Sequence, residues 1–313
     1  MVTNLSALIK SGHLYHVNQL VIGIPLFNRT AENQEGYVMI NTVFKDGIFE
    51  GKVALVSGGG TGIGLRIAKE LLHLGASVAI AGRKEEKLAV AMETLAEYGD
   101  RALSLVCNIR EEDQVNACID TVVEKYGKLD FLVNNAGGQF ASPAESIKAK
   151  GWRAVIDTNL TGTFLMSQAA FNKSMNTNGG AIVNIIANMW NGFPVLAHTG
   201  AARAGVDNLT KSLAVEWGAR GVRINSVALG AIHSSGLNNY DPESQKTFLE
   251  MTKKNKPYRF GTEAEASAAV TFLLSPAAMF ITGETLKVDG GAPLDSPLFP
   301  NVDHGKMPAF DDK

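Results

Sequence analysis

The sequence predicts an α/β fold, in which one doubly wound parallel sheet carries helices on both faces. Two observations predict it. Short apolar runs alternate with helical patterns at spacings of about 25 to 40 residues. The runs are apolar throughout rather than alternating with polar residues, as expected of strands covered on both faces. They lie at residues 53–56, 77–81, 102–107, 131–133, 181–186 and 223–227. Because no repeat or internal linker divides this pattern, we expect a single domain over residues 50–292.

The composition argues against several classes of function. The 313 residues include 29 basic and 31 acidic side chains, a balance that does not favour nucleic acid or an anionic membrane as partner. No apolar run approaches the roughly 18 residues of a membrane span. The two cysteines, Cys107 and Cys118, are too few for a disulfide framework, and no metal-ligand spacing surrounds them. No metal site is predicted.

The two ends of the chain differ from its middle. Residues 1–49 mix apolar and polar residues around one short apolar run that contains a proline. We expect an N-terminal extension here: a mis-annotated leader, a mobile arm or an organelle presequence. Residues 293–313 contain four prolines and several polar residues, a composition typical of a loose C-terminal tail.

The first strand runs into a glycine-rich turn, SGGGTGIG at 57–64, which opens a helix. Such a turn leaves backbone N–H groups and the positive end of the helix facing outward. Glycines also form ordinary tight turns, but the strand before and the helix after favour a site for the pyrophosphate of a dinucleotide. The residues predicted to bind the cofactor in this turn are Ser57, Gly58, Gly60, Thr61, Gly62, Ile63 and Gly64.

The second strand ends just before Arg83 and Lys84. An acidic residue at this point binds the ribose 2′-hydroxyl of NAD, whereas a basic residue accepts the 2′-phosphate of NADP. The pair therefore predicts NADP(H) as the cofactor. The alternative is that Arg83 is only a surface charge at the start of a helix.

Residues 197–217 form the predicted helix around which the site is organised. Thr199, Arg203, Asp207 and Lys211 recur every four residues, so they lie in one row along the helix surface. This row can face a pocket. It can also be a solvated face in which Asp207 and Lys211 form an ion pair.

Four motifs together resemble the short-chain dehydrogenase/reductase family over residues 49–292. They are SGGGTGIG, NNAGG at 134–138, NLTG at 159–162 and VDGG at 288–291. Within the family, CNIR at 107–110, GFP at 192–194 and HTGAARAGV at 198–206 are similar to the peroxisomal trans-2-enoyl-CoA reductases and the 2,4-dienoyl-CoA reductases.

The resemblance implies a Rossmann domain that binds NAD(P) across the carboxyl ends of the strands, in a protein that forms a homotetramer. A flap over the substrate is expected at residues 231–260. Leu229 stands where the family usually has a proline, and Ile232 is expected to bind the carboxamide through its backbone. The further cofactor residues that the resemblance implies are Asn108, Ile109, Asn135, Ala136, Gly137, Arg203, Gly230 and Ile232.

The resemblance also shows a departure in the catalytic helix. Thr199 stands at the position of the family's Tyr and Arg203 at that of its Lys, while the expected Ser falls at Ile186 or Ala187. All six tyrosines lie outside residues 127–239, so no shift of the motif restores the phenol. Asn159 matches the family's Asn, and its alternative role is that of a helix cap.

These replacements disfavour simple alcohol chemistry. A threonine hydroxyl is too weak an acid, and an arginine cannot give up its proton. Reduction of a carbon–carbon double bond conjugated to a thioester instead develops negative charge on the thioester oxygen, which hydrogen-bond donors stabilise without ionising. We therefore predict reduction of an enoyl-CoA by NADPH, either a trans-2-enoyl-CoA or a 2,4-dienoyl-CoA. Thr199 and Asn188 are the predicted donors, Arg203 supplies positive charge, and Asp207 feeds a proton through water.

Two other functions remain open. One is an NADP-linked dehydrogenase of branched or terpenoid alcohols or aldehydes; the other is a non-catalytic NADP(H)-binding sensor or subunit, which the missing Tyr and Ser favour.

Residues of the expected flap have alternative roles. The basic residues of the flap either meet the phosphates of coenzyme A or form a solvated face: Lys253, Lys254, Lys256 and Arg259. Tyr240 or Tyr258 on the flap is a candidate replacement for the missing phenol.

The last residues lack a Ser-Lys-Leu signal, so we expect a cytoplasmic location.

Overall fold

The fold is described here from a computed structural model of the chain. The structure describes residues 40–239, 246, 249–250, 252–296, 298 and 305–312. These residues belong to one compact unit, Val38–Lys313. Residues 1–39 of the expected N-terminal extension lie outside the described part of the chain, as do Tyr240 and much of the expected flap.

The described residues form a 7-stranded parallel sheet with the order β3-β2-β1-β4-β5-β6-β7, which confirms the predicted fold class. The order reverses between β1 and β4, and ligands of doubly wound sheets bind beyond the carboxyl ends of the strands at such a point. The strands are β1 (Val53–Ser57), β2 (Ser77–Gly82), β3 (Ala102–Val106), β4 (Phe131–Asn134), β5 (Gly180–Ala187), β6 (Val222–Leu229) and β7 (Thr285–Val288).

Helices cover both faces of the sheet. Two π-helical turns, Asp157–Thr161 and Phe171–Met175, interrupt the long helical stretch between β4 and β5. Such turns often occur at functional sites, and the first one contains Asn159. The α-helices that are described over their whole length are α1 (Gly62–His73), α2 (Glu85–Thr94), α3 (Glu112–Tyr126), α4 (Ala149–Ile156), α5 (Gly162–Ala170), α6 (Asn176–Asn178), α7 (Ala197–Gly218) and α8 (Glu263–Leu274).

Two apolar clusters, one on each face, hold the helices to the sheet. Neighbouring residues of β1 illustrate the division, because Val56 packs into one cluster and Leu55 into the other. Ile67 of α1 and Val270 of α8 belong to the first cluster, and Ile119 of α3 belongs to the second. This packing fixes the amino end of α1 against the carboxyl edge of the sheet.

Part of the C-terminal tail contacts the domain. Arg259 donates hydrogen bonds to the carbonyl oxygens of Met307, at 3.1 Å, and Pro308, at 3.0 Å. Arg66 of α1 donates to Asp312 at 3.0 Å. Residues 305–312 are therefore joined both to α1 and to the segment that precedes α8.

Candidate active site

A cavity of about 340 Å³ opens at the carboxyl edge of the sheet, beside the reversal of strand order. Most of the residues predicted to bind the cofactor line it. They are Gly58, Gly60, Thr61, Gly62, Ile63, Gly64, Arg83, Lys84, Asn108, Ile109, Asn135, Ala136 and Gly137.

The glycine-rich turn at the base of this cavity is packed too closely for side chains. A Cβ on Gly58 would lie 2.9 Å from the Cα of Ala136, and one on Gly64 would lie 2.4 Å from the oxygen of Gly58. Helix α1 begins at Gly62 with no capping side chain and no acidic residue in its first turn. Its first N–H groups are therefore oriented toward the cavity without a side-chain acceptor, which fits the pyrophosphate of a dinucleotide.

Ser57 lies beneath the cavity rather than in its wall. Its Oγ accepts hydrogen bonds from the backbone N–H groups of Asn135 and Ala136, both at 3.1 Å. It also donates to the carbonyl oxygen of Val133 at 3.3 Å. Ser57 thus positions the loop that follows β4 against the glycine-rich turn.

Three basic residues surround the end of the cavity near β2. Arg83 and Lys84 are joined there by Lys87, on the first turn of α2, which the sequence analysis did not single out. The sequence offered one signal for Lys87, which is that it lies four residues after Arg83. A group of cations at this point fits a 2′-phosphate.

The segment after β6 supplies a further wall that the sequence analysis missed. Ser234, Ser235 and Gly236 line the cavity opposite the glycine-rich turn, and a Cβ on Gly62 would lie 3.1 Å from the Oγ of Ser235. The same point would lie 3.4 Å from a carboxylate oxygen of Glu263. Only the tertiary fold brings these residues to α1.

The environment of Glu263 raises the pKa of its carboxyl. Burial is the main cause, and the negative charge of Asp311 adds to it. A hydrogen bond from the Ser235 backbone and the charges of His233 and Arg66 oppose the shift in pKa. A carboxyl with a raised pKa therefore lies beside the predicted phosphate site.

Arg203 projects from α7 between β5 and the loop after β4. Its Nη1 donates to the carbonyl oxygen of Ile185 at 2.7 Å. A Cβ on Gly137 would lie 2.5 Å from its Nη2 and 2.8 Å from the Oδ1 of Asn159, so a larger residue would displace one of these side chains. The Nε is buried and has no hydrogen-bond partner among the described residues. Burial lowers the pKa of Arg203 to about 10.

Asn159 is fully buried in the π-turn and holds the loop after β4. Its Nδ2 donates to the carbonyl oxygens of Gly138, at 2.7 Å, and Val155, at 2.8 Å. Its Oδ1 accepts from the N–H of Gly138 at 3.2 Å. These contacts join two segments, which is a different role from that of a helix cap.

Thr199 is fully buried and contacts a histidine that the sequence analysis missed. Its backbone N–H donates to Nδ1 of His198 at 2.8 Å, and its Oγ1 lies 3.3 Å from the same nitrogen. The ring of Phe140 packs edge-on against His198, with centroids 4.5 Å apart. Ile186, at the end of β5, is buried and carries no hydroxyl, as expected from the sequence.

The structure connects Asp207 with β7 rather than with Thr199 or Arg203. Its carboxylate accepts a hydrogen bond from Thr285 at 2.6 Å and pairs with Lys211. Although burial raises the pKa of Asp207, the hydrogen bonds from Lys211 and Thr285 outweigh it and lower the pKa. This geometry favours the structural ion pair that the sequence left as the alternative.

The remaining cofactor residues lie where β6 ends. The N–H of Gly230 donates to Val288 at 3.0 Å, and a Cβ there would lie 2.7 Å from the Cα of Asp289. Ile232 forms a parallel bridge with Gly261. The N–H of Gly261 donates to the carbonyl oxygen of Ala231, and its carbonyl oxygen accepts from the N–H of His233. The amide groups of Ile232 therefore point away from Gly261, as binding of a carboxamide would need.

Three members of the basic group on the expected flap pair with carboxylates of the chain itself. Their nitrogen–oxygen distances are 2.7 Å for Lys253–Glu250, 3.0 Å for Lys256–Asp295 and 2.6 Å for Arg259–Glu265. Positive charge that is already paired is less available to coenzyme A, so the geometry favours a structural role.

The cradle for a pyrophosphate, the basic pocket at its end and the reversal of strand order define a nicotinamide-dependent oxidoreductase. The chain belongs to the short-chain dehydrogenase/reductase family, because the family model described as "Enoyl-(Acyl carrier protein) reductase" matches residues 58–293. No helix in the described ranges is long and apolar enough to cross a membrane, and no cluster of potential metal ligands occurs among the same residues.

Three known proteins show which members of this family the chain is similar to. The chain is 36% identical to peroxisomal 2,4-dienoyl-CoA reductase of Mus musculus, over 83% of this chain and 88% of the relative. Identity is also 36% with the Danio rerio protein of that name, over 89% and 92% of the two chains. A solved structure of a citronellol catabolism dehydrogenase from Pseudomonas aeruginosa PAO1 is 42% identical, with a TM-score of 0.72, and covers 80% of this chain and 98% of its own. These relatives support an enzyme over the non-catalytic alternative.

Proposed function

We propose that this protein uses NADPH to reduce the carbon–carbon double bond of an enoyl-CoA, either a trans-2-enoyl-CoA or a 2,4-dienoyl-CoA. The observation that carries the proposal is the buried Arg203, which stands at the family's lysine position without a carboxylate among its hydrogen-bond partners. A guanidinium of pKa about 10 remains charged at neutral pH. It stabilises a developing enolate oxygen, but it cannot act as the base that alcohol oxidation requires.

NADPH supplies a hydride when it is bound. The glycine-rich turn and the first N–H groups of α1 hold its pyrophosphate, while Arg83, Lys84 and Lys87 hold the 2′-phosphate. The basic side chains support the choice of NADPH over NADH, because their charge has no matching group on NADH.

Three parts of the chain position the reacting groups. The carbonyl oxygen of Ile185 orients Arg203, and Asn159 fixes the loop that passes beside the guanidinium. Thr199 and Asn188 remain the proposed donors to the thioester oxygen. The route by which a proton reaches the α-carbon through Asp207 stays a prediction, because the geometry supports its structural alternative.

The proposal is tested by following NADPH oxidation with crotonyl-CoA, a longer trans-2-enoyl-CoA and a 2,4-dienoyl-CoA. Arg203→Met should lower kcat by about 10²–10³, the usual effect of losing one group that stabilises an oxyanion. Asp207→Asn, on the same helix row, separates the two roles of that residue: turnover is retained if Asp207 is structural and falls if Asp207 feeds the proton. An inactive wild-type protein with all three thioesters, or an Arg203→Met variant with unchanged kcat, contradicts the proposal.

The solved structure with the citronellol name supports a second candidate, the oxidation of a branched or terpenoid alcohol with NADP⁺. For that reaction, the contact between Thr199 Oγ1 and Nδ1 of His198, at 3.3 Å, is the proposed route for the alcohol proton. NADP⁺ reduction with citronellol distinguishes the candidates. Activity with citronellol and none with thioesters would favour the dehydrogenase.

Location and assembly are further predictions. We retain the cytoplasm and a homotetramer as expectations, although the mammalian and fish relatives carry peroxisomal names. Fractionation of the native cells and light scattering of the purified protein measure them directly.

A further inference from the structure

Two buried cysteines lie at the edge of the cofactor cavity, and the proposed function uses neither of them. Cys107 follows β3, Cys118 lies on α3, and both belong to the same apolar cluster. Cys107 also lines the cavity, beside Asn108 and Ile109. One residue of the pair therefore borders the space that the cofactor is expected to fill.

The first turns of α3 place both cysteines next to Gln114. The thiol of Cys107 donates to the carbonyl oxygen of Gln114 at 3.6 Å. Gln114 lies four residues before Cys118, so the two occupy one face of the helix. The side chain of Gln114 also accepts a hydrogen bond from the backbone N–H of Asn108 at 2.9 Å. The same residue thus contacts Cys107 and the wall of the cavity that follows it.

The two thiols differ in acidity. A hydrogen bond from Cys118 lowers the pKa of Cys107, although burial opposes the effect. The same contact, together with burial, raises the pKa of Cys118. Because the thiolate is the nucleophilic form, Cys107 is the first of the pair to react.

We propose that Cys107 and Cys118 form a reversible disulfide when a peroxide enters the cofactor cavity, and that this disulfide weakens the binding of NADP(H). The Cys107 thiolate attacks one oxygen of hydrogen peroxide, the O–O bond breaks, and the departing hydroxide leaves as water after taking up a proton. The sulfur of Cys118 then attacks the sulfenic acid on Cys107, forms the S–S bond and releases a second water. Two thiols lose two electrons in total, and one peroxide is reduced to two waters.

The effect on the cofactor follows from the position of Cys107. A disulfide needs the two sulfurs about 2.05 Å apart, which is shorter than any non-bonded contact. Asn108 and Ile109 come directly after Cys107 and line the cavity, so they move with it. Linkage makes the effect reciprocal: if the disulfide weakens NADP(H) binding by some factor, bound NADP(H) disfavours the disulfide by the same factor.

The experiment uses the reduced, full-length protein with and without saturating NADPH. Each sample is treated with hydrogen peroxide, alkylated and measured by intact-mass and peptide mass spectrometry, and the affinity for NADPH is measured by fluorescence before and after oxidation. Without cofactor, we expect loss of two protons' mass, a Cys107–Cys118 peptide pair, and a fall in NADPH affinity of about fivefold or more that dithiothreitol reverses. Bound NADPH should slow the reaction.

Cys118→Ser is the control, because Cys118 does not line the cavity. In this variant Cys107 should oxidise without forming a crosslink, and its oxidation should end at a sulfenic or sulfinic acid. The proposal is overturned if both wild-type thiols stay open to alkylation after unfolding of peroxide-treated protein, or if NADPH does not alter the rate. None of these measurements needs an enoyl-CoA, so their failure is distinct from failure of the proposed function.

Discussion

At the scale of single residues, we predict that Arg83 determines which nicotinamide cofactor the cavity prefers. It lines the cavity together with Lys84 and Lys87. Arg83→Ala should weaken NADPH binding by about 10- to 100-fold, since a charge-assisted hydrogen bond contributes roughly 1.5–3 kcal/mol. NADH binding should change little. Fluorescence titration of both cofactors measures this, with Lys125→Ala, an exposed charge on α3, as the control. Equal losses for the two cofactors would show that Arg83 does not read the 2′-phosphate.

We predict that Glu263 makes cofactor binding depend on pH. Its pKa is raised, chiefly by burial, so the carboxyl stays neutral to a higher pH than an ordinary glutamate. Once ionised, it repels the nearby phosphates. NADPH affinity should therefore be higher below this raised pKa and fall as the pH increases through it. Glu263→Gln should flatten that part of the affinity profile.

The groups around Glu263 define the control for this measurement. His233, Asp311 and Arg66 act on its charge. Affinity titrations of wild type, Glu263→Gln and His233→Asn at a series of pH values separate the two groups. A profile that flattens only in His233→Asn would assign the pH dependence to the histidine.

At the scale of elements, the loop after β4 depends on two adjacent glycines with different surroundings. A Cβ on Gly137 would collide with Arg203 and Asn159, at 2.5 and 2.8 Å, whereas one on Gly138 meets nothing within 4 Å. Gly137→Ala should therefore displace the guanidinium, lower kcat at least tenfold and reduce stability by about 1–3 kcal/mol. Gly138→Ala is the matched control and should retain activity. Steady-state kinetics and thermal unfolding test both; similar kcat values for the two variants would refute the close packing at Gly137.

The elements also show what could be predicted from sequence. Strands buried on both faces were recognisable as apolar runs, but β7 was not, because its TLKV sequence is partly exposed at the edge of the sheet. The glycine-rich turn and its neighbours were found because local sequence encodes a strand, a turn and a helix. Glu263 and His198 were missed because tertiary packing alone gives them their partners. Asp207 was ambiguous for a related reason: its partner Thr285 is 78 residues away on that unrecognised strand.

At the scale of the whole molecule, the C-terminal segment connects distant parts of the chain. Asp312 accepts hydrogen bonds from Arg66 of α1, at 3.0 Å, and from the backbone of Asn41, at 2.8 Å. Arg66 is buried and also pairs with the buried Glu70 at 3.0 Å. The segment therefore contributes charge to a buried cluster on α1, the helix whose amino end faces the cofactor cavity.

Loss of this contact should lower the stability of the entire domain. Asp312→Asn removes a charge from the partner of a buried arginine, and we expect a decrease of about 1–2 kcal/mol in the free energy of unfolding. For a domain of this size that corresponds to a Tm lower by about 2–8 °C. Deletion of residues 305–313 should have a larger effect, because Arg259 also loses the carbonyl oxygens of Met307 and Pro308.

Lys253→Ala is the control variant, because the Lys253–Glu250 ion pair is exposed and should contribute little to the free energy of unfolding. Thermal unfolding measures stability, and limited proteolysis reports on residues 252–262, which the tail contacts through Arg259. If the tail holds this segment, the deletion should expose it to protease even at temperatures well below Tm, while Lys253→Ala leaves it protected. An unchanged Tm and an unchanged cleavage pattern in the deletion variant would mean that residues 305–312 rest on the domain without stabilising it.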